Sequence, residues 1–247
     1  MGLIDTVNKL LPGNLLAKNI TYGNMFFDVY GHKSDIAKPV IVFWHGGGWK
    51  SGDKKHYAII ARNLQKLDAI VVTVGYPLYP QQTFPGFIHD AKQTIVWVKQ
   101  NAQAYGGDPK RIFTMGHSSG AHTATIVTLQ DDKSDIAGCI ALATPCTILK
   151  KYYSKVFNGA FDLDLQNPIT HIGPNKHPFL LIHGRKDRLV KFADGERLYA
   201  SLRKARYPVQ LIAVSDLGHA NILATLVRPF SYKYEVMKNV KHFIQNN

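Results

Sequence analysis

Runs of apolar and β-branched residues recur along the chain without polar alternation, at 40–44, 69–74, 112–113, 139–143, 179–182 and 209–214. Unbroken runs of this kind are what strands look like when helices cover both faces of a parallel sheet. Between them lie segments of helical period. Residues 57–67 put Ile59, Ile60, Leu64 and Leu67 on one stripe, and residues 87–104, entered through Pro85, put Ile88, Ala91, Ile95 and Val98 on one face. The segments 121–129, 193–202 and 232–244 follow the same period. Alternation of strand and helix predicts an α/β fold of the doubly wound type, with a mostly parallel central sheet and helices on both faces. No repeat, low-complexity stretch or linker divides the chain, so residues 1–247 are expected to form one domain.

Two segments break the alternation. Leu3, Ile4, Val7, Leu10 and Leu11 recur at helical spacing, which predicts a short amphipathic arm over 1–18 that either packs on the body or touches a membrane interface. Between the strand ending near Ala143 and the one starting at Phe179 lie about 35 residues rich in aromatics (Tyr152, Tyr153, Phe157, Phe161). So long a connection, about 147–177, is expected to form a small cap over a binding site, as long loops on rigid scaffolds often do.

Composition narrows the class. An apolar fraction of 45% in 247 residues supplies a full core, which excludes intrinsic disorder. Two cysteines, Cys139 and Cys146, exclude a disulfide scaffold. The apolar runs are too short to span a bilayer, and the first residues lack the pattern of a secretory leader, so a cytoplasmic location without stable membrane insertion is expected. The net charge of +13 raises nucleic acid as a partner, but no run of like charge exceeds two residues and there is no basic tail, so no nucleic-acid partner is expected. The densest stretch, 150–206, holds 12 basic and 5 acidic residues. Gathered on one face it would attract an anionic substrate or surface; spread out, it is a solvated basic exterior. Nothing in the pattern specifies an oligomeric state.

The chemistry sits where strands end. Gly116-His117-Ser118-Ser119-Gly120 follows one apolar run and precedes a helical one, the strand-turn-helix setting of a G-x-S-x-G nucleophile elbow. The turn is so tight that the residues flanking it must be nearly free of side chain, hence a glycine on each side. His45-Gly46-Gly47-Gly48-Trp49 directly follows the run 40–44. Three glycines in succession let backbone N–H groups turn toward a ligand, as in the HGGG loop that supplies oxyanion donors. A base and an acid are then expected in the order Ser, Asp, His. Asp187 follows the run ending in His183, and His219 follows the run 209–214, so both leave the same sheet edge as the elbow. Asp216 and Asp194 are rival acids, but neither leaves a strand end at the expected place. His122, one turn beyond Ser118, is expected to pack beneath the elbow, and His117 fills the variable elbow position. No His or Cys set has metal-ligand spacing, so neither a metal nor another cofactor is expected.

These residues carry a resemblance. The run HGGGW, with Gly52-Asp53-Lys54, Tyr76-Pro77-Leu78, Pro80, Pro85, Asp90, Trp97, Gly106-Gly107-Asp108-Pro109 and GHSSGAH, resembles the α/β-hydrolase superfamily across about residues 26–245. Within it the chain is similar to the hormone-sensitive-lipase-like branch that includes kynurenine formamidases and bacterial feruloyl and acetylxylan esterases. The resemblance implies an α/β-hydrolase fold and catalytic Ser118, Asp187 and His219. It also implies oxyanion donors from the Gly47, Gly48 and Ser119 amides. Asn167-Pro168-Ile169-Thr170 resembles the segment that closes the cap. One departure stands out: many relatives carry alanine where this chain has Ser119, a change a backbone donor should tolerate.

The function expected is a serine carboxylesterase acting on a small-molecule ester with a short acyl or aryl group. Trp49, Tyr152, Tyr153 and Phe157 are expected to contact the substrate. The alternatives are an arylformamidase hydrolysing N-formylkynurenine and a catalytically inactive hydrolase-fold binding protein.

Overall fold

The computed structural model describes residues 13–146, 154–157, 165–228 and 230–247. Eight strands form one sheet: β1 (Leu15–Tyr22), β2 (Met25–Tyr30), β3 (Lys38–Trp44), β4 (Ile70–Gly75), β5 (Gly107–His117), β6 (Ile136–Leu142), β7 (Phe179–Gly184) and β8 (Val209–Val214). Their order is β1-β2-β4-β3-β5-β6-β7-β8. The six strands read from the apolar runs all pair in parallel, and β1 and β2 add an antiparallel edge.

The unbroken apolar runs follow from two covered faces. In β3, Val40, Val42 and Trp44 pack into one core, with helices α2 (Gly86–Asn101), α3 (Ser119–Leu129) and α4 (Phe192–Lys204). Ile41 and Phe43 alternate into the other core, with α1 (Ala58–Leu64) and the carboxyl-terminal pair α5 (Ser231–Tyr234) and α6 (Val236–Gln245). Each fully buried side chain of this size contributes about 1.5–3 kcal/mol, so polar alternation would forfeit one of the two cores. α3 is buried along its whole length, and its Thr123 and Thr128 hydroxyls are satisfied by the carbonyls of Ser119 and Ala124. Among the described residues, no helix is long and apolar enough to cross a membrane.

One expectation needs revision. The arm expected over 1–18 ends earlier, because Leu15, Leu16, Ala17 and Lys18 belong to β1; residues 1–12 lie outside the described residues. β1 and β2 form a hairpin through Gly23-Asn24, with Gly23 at φ 56°. Its fastening is polar as well as apolar: Asp28 of β2 is buried, pairs with Lys54 Nζ at 2.7 Å and accepts the Asn19 amide at 2.8 Å.

Where it is described, the connection between β6 and β7 is fixed to α3 and to the loop that enters α2. The Phe84 amide donates to Val156 O at 2.9 Å, and His122 Nε2 donates to Gln166 O at 2.7 Å. Asn167 caps the short helical turn Pro168–His171, and the Gln130 amide group meets His171 Nδ1 at 2.8 Å. The remainder of the expected cap, with Tyr152, Tyr153 and Phe161, lies outside the described residues.

Candidate active site

β5 ends at His117, and Ser118 follows it, taking φ 54° and ψ −121° before α3 begins. A non-glycine residue at positive φ is strained, and such strain persists only where the surroundings over-determine it. Here they do. A Cβ on Gly116 would stand 2.4 Å from Gly120 backbone, and a Cβ on Gly120 would stand 2.1 Å from Trp44 O. The two glycines therefore let the turn close against β3. The Ser118 amide donates to Leu142 O at 2.9 Å, which fixes the elbow to β6.

His219 reaches this serine from the loop after β8, with Nε2 2.8 Å from Ser118 Oγ. Its Nδ1 lies 2.8 Å from Asp187 Oδ2, on the loop after β7. Asp187 Oδ1 accepts the Leu189 and Val190 amides, each at 2.9 Å. Burial opposes ionisation of Asp187, but hydrogen bonds from His183, His219 and the Val190 amide overcome it and hold the carboxyl well below the usual carboxylate range. An ionised carboxylate can only accept, so Nδ1 carries the proton and Nε2 is left as the acceptor facing the Ser118 hydroxyl. The rival acids are placed elsewhere: Asp216 accepts the Tyr234 hydroxyl at 3.1 Å, and Asp194 pairs with Arg197 at 3.8 Å.

The neighbouring histidines have other partners. His117 Nε2 donates to His219 O at 2.9 Å and so steadies the loop that presents the base. Burial, reinforced by the His219 charge, pushes His117 down to about 4, so its ring is neutral. His122 lies below the elbow and is likewise held down to about 4 by burial. His183, which sequence reading left unassigned, donates to Val190 O at 2.9 Å and sits 3.5 Å from Asp187 Oδ2. Its place in His183-Gly184-Arg185-Lys186-Asp187, at the end of an apolar run, was the available signal.

The glycine loop turns at Gly47, where φ is 134° and an added Cβ would stand 1.9 Å from Ser51 O. Gly47 O accepts the Lys50 and Ser51 amides at 3.2 and 3.1 Å, which closes the turn. The Gly48 amide is already engaged: it donates to Ser119 Oγ at 3.0 Å. The Ser119 hydroxyl is hydrogen-bonded in turn to Tyr76, whose own hydroxyl donates to His45 O at 2.8 Å. The departure at Ser119 thus does more than replace an alanine. It ties one of the three expected donors into a chain that spans the loop.

Ser118 and His219 open on a cavity of about 1010 Å³, which Gly47, Gly48 and Ser119 also line. Trp49 borders it, yet its side chain is only 2% exposed and packs in an aromatic cluster. It stacks on Phe87 at 5.6 Å and meets His122 and Phe157 edge-on, both at 5.0 Å. Phe157 is buried in the same cluster and is not among the residues that line this cavity. Tyr152 and Tyr153 lie outside the described residues.

A parallel sheet flanked by helices, with a serine elbow, a histidine and an aspartate at one strand edge, is the architecture of the α/β-hydrolase fold. The family model designated BD-FAE matches residues 27–155, and the chain belongs to that family. Among curated proteins it is 32% identical to the isoprenylcysteine alpha-carbonyl methylesterase ICME of Arabidopsis thaliana, over 80% of this chain and 47% of that one. It is 29% identical to Esterase LipQ of Mycobacterium tuberculosis, over 77% of this chain and 52% of that one. The chain spans about half the length of these relatives. Solved structures share the fold: the esterase of Pyrobaculum calidifontis superposes with a TM-score of 0.80 at 18% identity, covering 98% of this chain and 90% of that one. The Francisella virulence factor BioJ superposes at 0.82 and 21% identity, covering 99% and 89%.

Proposed function

We propose that the chain is a carboxylic ester hydrolase acting through Ser118, His219 and Asp187. One observation carries this reading: Ser118 Oγ, both nitrogens of His219 and the Asp187 carboxylate stand in line at 2.8 Å separations, at the mouth of a cavity. In the first step His219 Nε2 takes the Ser118 proton as the serine oxygen attacks the ester carbonyl. Asp187 stabilises the imidazolium and remains ionised. The oxyanion that forms is met by the Ser119 amide and by the Gly47 amide of the turn, in an environment where each such donor is worth about 2.7–4 kcal/mol of barrier. Collapse of the tetrahedral intermediate expels the alcohol, which leaves with the proton from His219. Water then repeats the sequence on the acyl-serine, releasing the acid and restoring Ser118. The Gly48 amide adds a third donor only when the Ser119 hydroxyl turns away from it.

The names of the curated relatives favour an ester, and the closed floor beneath Ser118 suits a compact acyl group above it. The test is kcat/KM for 4-nitrophenyl acetate beside that for N-formylkynurenine. Turnover of the ester, with the formamide at least tenfold slower, is expected; a formamide that wins by tenfold makes the chain an arylformamidase, and activity on neither contradicts the hydrolase reading.

A further inference from the structure

We propose that the cavity is built for an ester that carries a second, ionised acidic group, held at the rim by Arg188 and Lys191 while the ester carbonyl meets Ser118. This rests on the esterase reading and adds the class of substrate to it.

The charged residues lining the cavity are Lys50, Arg188, Lys191, Arg197 and Asp194, four cations against one carboxylate. Asp194 is already paired with Arg197. Among the described residues, neither Arg188 nor Lys191 has an ion-pair partner, and both are exposed. A further cavity with basic lining, of about 390 Å³, lies on the far side of the glycine loop. There Lys54 is matched with buried Asp28 at 2.7 Å and Lys55 with Asp53 at 3.1 Å. Of the three lysines beside that cavity, Lys54 and Lys55 are matched from within the chain and Lys18 is exposed on its edge, whereas Arg188 and Lys191 stand unmatched beside Ser118 itself.

The backbone of the rim loop is also held in place. Asp187 Oδ1 holds the amides of Leu189 and Val190, so the loop that carries the triad acid also sets the position of Arg188. Leu189 stands 66% exposed on the same rim, and Pro145 and Val190 add apolar lining. An apolar body with an anionic end matches that surface better than a neutral ester does. A neutral ester would bury apolar area there but gain nothing from the cations, whereas an anionic end would pair with them. Arg188 offers a planar fork suited to a carboxylate or phosphate. The excess of basic residues over 150–206 thus gathers partly at the place where it acts on a substrate.

The probes are monomethyl adipate, an anion at neutral pH, and dimethyl adipate, its neutral counterpart with two equivalent esters. Hydrolysis is followed by pH-stat at about 20 mM and about 500 mM NaCl, where the Debye length shrinks severalfold. With correction for the two esters, the monoester is expected to lead by tenfold or more in kcat/KM at low salt, mainly through KM, and by threefold or less at high salt. In the Arg188→Gln/Lys191→Gln double variant, shown to be folded by its melting curve, the low-salt lead is expected to fall below threefold. An equal or faster diester at low salt, with 4-nitrophenyl acetate still hydrolysed, overturns the proposal and leaves the esterase reading standing. A lead that persists in the folded double variant, or that salt does not reduce, removes the assignment to the rim. Loss of 4-nitrophenyl acetate turnover by the wild-type chain would instead bring down the esterase reading itself.

Discussion

The floor beneath Ser118 and the rim above it each contain a histidine, used for opposite purposes. Below, His122, Trp49, Phe87 and Phe157 close on one another with ring separations of 5.0 to 6.0 Å, and His122 spends its Nε2 on a backbone carbonyl. Above, His219 faces a cavity, and the exposed Arg188, Leu189 and Lys191 stand around it. A histidine four residues from the serine in sequence is structural, while one 101 residues away is its partner. Which side of the elbow a residue reaches decides its role, not its type or its nearness along the chain.

That division can be broken at several points. Ser118→Ala should lower kcat for 4-nitrophenyl acetate by a factor of about 10⁴ or more while moving the melting temperature little, because only a hydroxyl at the cavity is lost. Asp187→Asn should cost about 10⁴ in kcat, since the amide no longer fixes the Nδ1–H tautomer of His219. Phe157→Ala acts on the floor and should do the reverse. Removing a fully buried ring costs about 3–5 kcal/mol of stability, read by denaturant unfolding, and kcat per folded molecule should stay within a fewfold of wild type. A Phe157 variant that keeps its stability but loses KM would return that ring to the substrate side.

Acid should find the floor as well. Burial holds His117 and His122 at about 4, while the unfolded chain protonates its histidines near 6.5. The unfolded state therefore binds more protons between those values. The stability these rings support is complete above about pH 6.5, declines as pH falls toward 4, and by then each has forfeited about 3 kcal/mol. Below that window Asp187 takes over. Its depressed carboxyl contributes stability above the ordinary carboxylate range that is lost as pH drops further. Melting temperature against pH should show the decline from 6.5 to 4, and His122→Gln should make it shallower; an unchanged slope would mean that His122 is not buried as a neutral ring.

The smallest effect expected is at Ser119. Ser119→Ala releases the Gly48 amide from its hydroxyl, so kcat should rise by up to about threefold, well under the value of a full oxyanion donor because the loop also loses a tie. A fall of tenfold would show that the hydroxyl itself serves the reaction.

The sheet was legible because both its faces are covered, so six of its strands read as unbroken runs. The edge hairpin was not. Met25-Phe26-Phe27-Asp28-Val29-Tyr30 carries a buried aspartate whose counter-charge, Lys54, lies 26 residues away, and nothing local announces that pair. The turn Gly23-Asn24 between two short β-rich segments was the missed signal. At the site, Ser118 could be singled out by a fixed motif, and Asp187 and His219 by the strand ends they follow; the structure brings the three side chains within hydrogen-bond distance. The bond from Gly48 to Ser119 joins positions 71 apart through side-chain geometry, which no motif encodes. Aromatic character marked Trp49 and Phe157 as notable, but only packing shows that the first borders the cavity with a buried ring and the second is buried and does not line it.

The most direct test of the account is covalent labelling of the wild-type chain by a fluorophosphonate, with the modified residue mapped by peptide mass spectrometry. The reagent transfers its phosphonyl group to an activated serine and releases fluoride. Stoichiometric modification of Ser118, abolished in His219→Ala, is the predicted result. A chain that stays unlabelled at Ser118 while folded, or one labelled equally without His219, would contradict the claim that these residues form an activated nucleophile.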